Sequence, residues 1–152
     1  PLSFNLLLNL VSASNSDDRD VLWGFIRAYD ETATPENHPL LDRLVDYAVN
    51  YFKDFVEPTK TFRAATSEEK AALLDLIERF ERIAAERPNH LTDALRLGQS
   101  TGTDHGIEPL RDWFTALYEV MLGQTQGTRL GSFVSLFGVE MTIALMREKL
   151  GS

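Results

Sequence analysis

Apolar positions in this chain recur at intervals of three and four, the spacing that gathers side chains on one face of an α-helix. Ser3 is placed to cap a short helix reaching about Val11, with Phe4, Leu7, Leu8 and Val11 on one side. Leu6 and Leu10 make this segment apolar nearly all round, which predicts deep burial. Ser16-Asp17-Asp18 opens a second helix, because acids suit the positive end of the helix dipole. It directs Val21, Leu22, Phe25, Ile26 and Tyr29 inward and stops between Thr32 and Pro35. A third helix begins at Pro39 and ends at Pro58, striped by Leu40, Leu41, Leu44, Val45, Ala48, Val49, Phe52, Phe55 and Val56. A basic, aromatic connector follows, Thr59-Lys60-Thr61-Phe62-Arg63.

Thr66-Ser67-Glu68-Glu69 reads as a capping box opening a fourth helix to about Glu86, with Leu73, Leu76 or Ile77, Phe80, Ile83 and Ala84 on its buried stripe. A weaker helix from about His90 to Leu97 runs into Gly98-Gln99-Ser100-Thr101-Gly102-Thr103, whose composition predicts a mobile loop. Pro109 starts a helix carrying Trp113, Phe114, Leu117, Tyr118, Met121 and Leu122, which Gly123 terminates. Gly127, Gly131 and Gly138 then separate a short helix around Phe133 to Phe137 from a terminal amphipathic helix, Val139 to Leu150. The pattern predicts an all-α bundle of seven or eight helices with no strand. The 152 residues fit one domain, with possible subdivision expected near 58–66 and 98–106.

Charge narrows the functional classes. Fifteen Lys+Arg face 23 Asp+Glu, and a net charge of −8 argues against indiscriminate nucleic-acid binding and makes DNA an unexpected partner. The deficit is uneven: residues 1–58 hold 4 basic and 10 acidic residues. From Pro58 to Ser67 the only charges are Lys60 and Arg63, and from Val120 to Val139 the only one is Arg129. Locally basic segments of this kind remain able to meet a polyanion.

Chemistry is sparse. With no Cys there is no disulfide, thiol nucleophile or thiolate zinc site. His38, His90 and His105 lie far apart, so no metal is expected, and His38 and His105 read as surface residues. Asp17/Asp18 and Glu68/Glu69 sit at helix starts, where the dipole explains them without catalysis. There is no P-loop, no Gly-x-Gly-x-x-Gly and no Gly-x-Ser-x-Gly turn, so no catalytic residue is assigned. No apolar run approaches the roughly 20 residues that span a bilayer, and a soluble, cytoplasmic protein without membrane contact is expected. The chain opens on Pro1 rather than Met, which suggests a piece of something longer.

One segment asks for more. Residues 117–134 read LYEVMLGQTQGTRLGSFV: three glycines, two glutamines, Thr125, Thr128 and Ser132 surround a single Arg between two aromatic-rich helices. Amides and hydroxyls at such a bend suit the edges of unpaired bases, and a guanidinium suits phosphate or stacking. The plainer alternative is a helix–turn–helix corner in which Arg129 caps carbonyls or pairs with an acid.

The stretch resembles the C-terminal signature of the class I lysyl-tRNA synthetases, L-Y-x-x-x-L-G-Q-x-x-G-x-R-x-G-S-F. Phe4-Asn5-Leu6-Leu7-Leu8-Asn9-Leu10 with Asp20-Val21-Leu22-Trp23-Gly24-Phe25-Ile26 is similar to the start of that domain. Tyr51-Phe52-Lys53-Asp54-Phe55-Val56-Glu57-Pro58-Thr59-Lys60 is similar to its helix end before the connector. Thr128 departs from the proline expected in many relatives, which makes the turn less rigid. The resemblance implies an α-helix cage that binds the anticodon loop of lysine tRNA, with the remainder of the synthetase chain as its other partner. The H-I-G-H and K-M-S-K-S motifs of the Rossmann-like catalytic domain do not occur here. This chain alone is therefore expected to be inactive and to hold no cofactor, whereas the whole enzyme takes ATP and lysine.

Local chemistry then assigns Arg129, Gln124 and Gln126 to base or phosphate contact, Lys60 and Arg63 to phosphate, and Phe62 to base stacking. Trp23 and Trp113 are assigned to the core. Two other functions compete: a helical protein-interaction module whose exposed apolar patch docks a partner or the rest of its own chain, which the Leu-dense first helix would support if severed from a preceding domain, and the anticodon-binding domain of a glutamyl-type class I synthetase. The order of the three blocks favours the lysyl form.

Overall fold

The computed structural model describes residues 2–86, 94–125 and 127–151, and among these the chain forms eight α-helices and no strand. It divides into two compact units, one ending at Lys60 and one beginning at Thr61.

The first unit is built around α1 (Phe4–Ser14), whose Leu7, Leu10 and Val11 are fully buried. The Ser3 side chain accepts the Leu6 amide at one end, and Asn15 closes the other in the left-handed region at φ 51°. Asn tolerates that conformation because its short polar side chain bonds locally. Leu6, Leu8 and Ala13 are buried as well, so the Leu-rich first helix does not supply the exposed surface expected to support an interaction module.

Helices α2 (Arg19–Tyr29) and α3 (Pro39–Tyr51) pack on α1 with faces narrower than the apolar pattern suggests. In α2 only Leu22, Trp23 and Ile26 are buried, while Val21 and Tyr29 are exposed. Trp23 takes the inward place because its indole N–H finds the Asp42 carboxylate at 3.1 Å, and Arg19 bonds Asp42 and Asp46 beside it. In α3 the buried set is Val45, Ala48 and Val49, and Leu40 is 77% exposed. The third helix does not continue to Pro58. It widens into a π-helical turn, Phe52–Val56, then tightens into a 3₁₀ turn, Glu57–Thr59. Phe52 stays buried, but the extra residue per turn leaves Phe55 63% exposed.

The second unit contains α4 (Ser67–Glu86), α5 (Ala94–Asp104), α6 (Leu110–Leu122), α7 (Leu130–Phe137) and α8 (Val139–Leu150). Its core gathers Leu73, Leu76, Ile77 and Phe80 with Trp113, Leu117, Met121, Phe133, Val134 and Met146. The α4 capping box is present: Thr66 Oγ1 accepts the Glu69 amide at 3.2 Å, and Glu69 Oε1 accepts the Thr66 amide at 2.9 Å. Helices α7 and α8 meet at 106° across Gly138, whose φ of 92° only glycine adopts without strain.

Residues 98–103 are not a loop but the middle of α5. Their glycines serve close packing. A Cβ on Gly98 would sit 2.7 Å from Leu130 Cδ2, and one on Gly102 would sit 2.5 Å from the Trp113 indole. The indole N–H donates to Gly98 O at 2.9 Å, and Thr101 Oγ1 satisfies Leu97 O within the helix. Residues 90–93 of the weaker helix expected ahead of Leu97 lie outside the described residues. No single helix among the described residues is long and apolar enough to cross a membrane.

Candidate nucleic-acid interface

The corner between α6 and α7 is held from three directions. Gly123 ends α6 in the left-handed region at φ 70°, its amide bonded to Glu119 O at 3.2 Å. Its carbonyl accepts the Thr61 amide at 3.0 Å, which fastens the connector to the end of α6. Beneath the turn lies Tyr118, 4% exposed, whose hydroxyl donates to Thr128 O. Burial pushes that phenol up from its ordinary pKa, so it remains a donor throughout the physiological range. Gly127 lies directly on the ring: a Cβ there would be 2.4 Å from it. Glycine is needed here for the approach, since any side chain would lift the turn.

The sequence-predicted site residues fall into distinct environments. Arg129 occupies the N-cap position of α7, is exposed, makes no side-chain capping bond and pairs with no carboxylate among the described residues. Gln124 is half-buried, and its amide oxygen is shielded from solvent without a hydrogen-bond partner among the described residues. Gln126 lies outside the described residues. Arg63 is half-buried and heavily engaged, with Nη1 and Nη2 on the two Glu69 oxygens at 2.7 and 2.9 Å and Nε 3.5 Å from Glu119. That fork holds the Glu69 carboxyl far below its usual range, at about 2, and raises the guanidinium further. Arg63 therefore ties the connector to α4 and α6, and its charge is largely neutralised. Lys60, in the first unit, is half-buried; its ammonium donates to Ser12 O at 3.2 Å and lies 5.5 Å from the Phe52 ring centroid. It satisfies a carbonyl at the end of α1, as a lysine at a helix C-terminus does.

Phe62 is 42% exposed, and Lys149 Nζ, from the last turn of α8, stands 4.1 Å from its ring centroid. In the sequence Lys149 is only a polar position on an amphipathic helix. Its one signal is local: no acid lies three or four residues before it, where Leu145 and Met146 are buried. Trp23 and Trp113 are both core residues, 1% and 0% exposed.

Fold and corner together define an all-helical chain whose α6–α7 corner presents the Arg129 guanidinium, paired with no carboxylate among the described residues, beside amides and hydroxyls. No family model matches the chain, and no solved structure matches it. Curated proteins do. The chain is 45% identical over 143 residues to the lysine–tRNA ligase of Roseobacter denitrificans, a match covering 94% of this chain and 27% of that protein. It is 40% identical over 154 residues to the lysine–tRNA ligase of Rickettsia bellii and 37% over 149 to that of Rickettsia prowazekii, each covering 98% of this chain and 28% of the relative. The chain is thus related along nearly all of its own length to lysine–tRNA ligases, and it spans just over a quarter of the length of those relatives.

Proposed function

We propose that this chain is the anticodon-binding part of a class I-type lysine–tRNA ligase, a cytoplasmic enzyme that joins lysine to its tRNA at the expense of ATP. In that enzyme the chemistry belongs to the remainder of the synthetase chain. This part holds the anticodon loop, needs no cofactor of its own and is inactive alone. The observation that carries the reading is Arg129, an exposed guanidinium at the N-cap of α7 that pairs with no carboxylate among the described residues, on a turn held by the Tyr118–Thr128 hydrogen bond.

The physics suits a splayed loop. Unpaired bases expose their pairing edges to side-chain amides, and the half-buried Gln124 is proposed to offer its amide N–H to such an edge. Arg129 is free to fork onto phosphate or stack on a base. The segment from Val120 to Val139 carries no acid, so the repulsion between a −8 protein and RNA is weakest there. Gln126 belongs to the same turn by sequence and is proposed to act with Gln124. Arg63 and Lys60 act by holding the connector, and their remaining charge contributes to phosphate attraction only in a minor way.

Filter binding of the chain to lysine tRNA and to an unrelated tRNA, at low and moderate salt, tests the reading. Selective retention of lysine tRNA that Arg129→Ala abolishes is the expected result, and equal retention of both tRNAs contradicts it. A second reading, a helical interaction module, draws on the first unit. There Phe4, Tyr47, Tyr51 and Phe55 form a continuous row with ring centroids 5.0 to 6.3 Å apart, the last three exposed. Loss of tRNA selectivity with intact capture of another part of the synthetase by this row would favour that reading.

A further inference from the structure

The geometry points to a second RNA contact formed by Lys149 and Phe62, with the ammonium taking a backbone phosphate and the ring taking a neighbouring base. The inference rests on the anticodon-loop reading and adds to its stacking residue Phe62 a phosphate-binding partner on α8, Lys149, that the sequence did not suggest. Three observations carry it.

First, Lys149 Nζ lies 4.1 Å from the centroid of a ring that is still 42% exposed as a residue. Ammonium and aromatic face are therefore presented together, the pairing that single-stranded RNA sites combine. Second, two nearby cations are paired with carboxylates, whereas Lys149 meets only the ring among the described residues. Arg63 is forked onto Glu69 and approaches Glu119, and Arg147 pairs with Glu81 at 2.7 Å. No carboxylate among the described residues pairs with Lys149. An uncompensated cation attracts a polyanion, whereas a neutralised one does so weakly. Third, Phe62 follows Thr61, whose amide is bonded to Gly123 O, so this pair is joined through one residue of backbone to the corner that bears Gln124 and Arg129.

A purely structural role competes, since a lysine in the last turn of α8 also favours the helix dipole and pins the connector. The salt dependence of binding separates the two. For the chain binding lysine tRNA, Lys149→Gln is expected to weaken binding of lysine tRNA and of unrelated tRNA by a similar factor. It should also reduce the slope of log K against log salt by about 0.7 to 0.9, the release of one phosphate's counterions. Lys149→Arg restores the slope, because a guanidinium keeps both the charge and the ring contact. Phe62→Leu weakens binding roughly tenfold or more with the slope unchanged. Circular dichroism verifies that each variant is folded. An unchanged slope in folded Lys149→Gln, while the wild type still selects lysine tRNA, overturns this inference and leaves the anticodon reading standing. Failure of the wild type to bind any tRNA overturns both.

Discussion

Replacing Gly102 with Ala tests the packing beneath the corner by sign as well as size. In an uncrowded helix interior the change gains about 1 kcal/mol, because alanine is the better helix former. Here the new Cβ would stand 2.5 Å from Trp113 Cδ1, 2.9 Å from Cγ and 3.0 Å from Nε1, against ordinary contacts of about 3.5 Å or more. The indole is fully buried and tethered to Gly98 O, so relief requires α5 and α6 to part by about 1 Å. Overpacking of this kind costs about 1–3 kcal/mol, and losing the indole hydrogen bond about 0.5–1.5 kcal/mol more. After the propensity gain the expected net loss is about 1–3 kcal/mol. At about 2–4 °C per kcal/mol for a chain of this size, the melting temperature falls by roughly 2–12 °C. Gly24 is the control: it lies in α2, where an added Cβ would meet nothing within 4 Å, so Gly24→Ala should stabilise by about 0.5–1 kcal/mol. Urea unfolding followed by the fluorescence of the chain's two tryptophans, one in each unit, reads both changes. A stabilised Gly102→Ala would refute the close approach of the two helices.

Three further outcomes follow from the same geometry. Tyr118→Phe should cost about 1 kcal/mol of stability and lower affinity for lysine tRNA by more than that loss explains, since the Thr128 carbonyl beside Arg129 is released; calorimetry and binding titration check the two effects. The Glu69 carboxyl is lowered from 4.5 to about 2 by Arg63, so its stabilisation is complete above about pH 4.5 and is lost as pH falls towards 2. Discounted for the exposure of its partner, the loss is on the order of 1–3 kcal/mol, and Glu69→Gln should flatten the acid limb of a pH–stability curve. Asp42→Ala should destabilise the first unit by about 1–3 kcal/mol, because it strands the Trp23 indole N–H, and a blue or red shift of Trp23 emission without loss of stability would contradict that.

The helices were legible because periodicity and caps act over three to seven residues, the range in which sequence and structure speak the same language. Ser3, the Thr66–Glu69 box and Gly123 are all local devices. The buried faces of α2 and α3 were not legible. Whether Tyr29, Leu40 or Phe55 turns inward depends on what another helix offers, and Trp23 turned inward because Asp42 was there to receive it. The loop expected at Gly98 to Thr103 fails for the same reason. Glycine marks a turn or a close approach, and only Trp113 and Leu130, distant in sequence, decide which.

The corner stood out in the sequence as an uncharged stretch around one Arg. Its supports did not: the Tyr118 hydroxyl, the Thr61–Gly123 bond and the Arg63–Glu119 contact all join residues 10 to 62 positions apart. Lys149 was invisible until the fold placed α8 against the connector.

The most direct measurement is the affinity of the chain for an RNA hairpin carrying the lysine anticodon, compared with hairpins in which single anticodon bases are exchanged, for wild type and Arg129→Ala. Each exchange is expected to weaken wild-type binding several-fold, and Arg129→Ala to erase most of this discrimination. Equal affinity for all hairpins, with Arg129→Ala indistinguishable from wild type, would contradict the anticodon-binding reading.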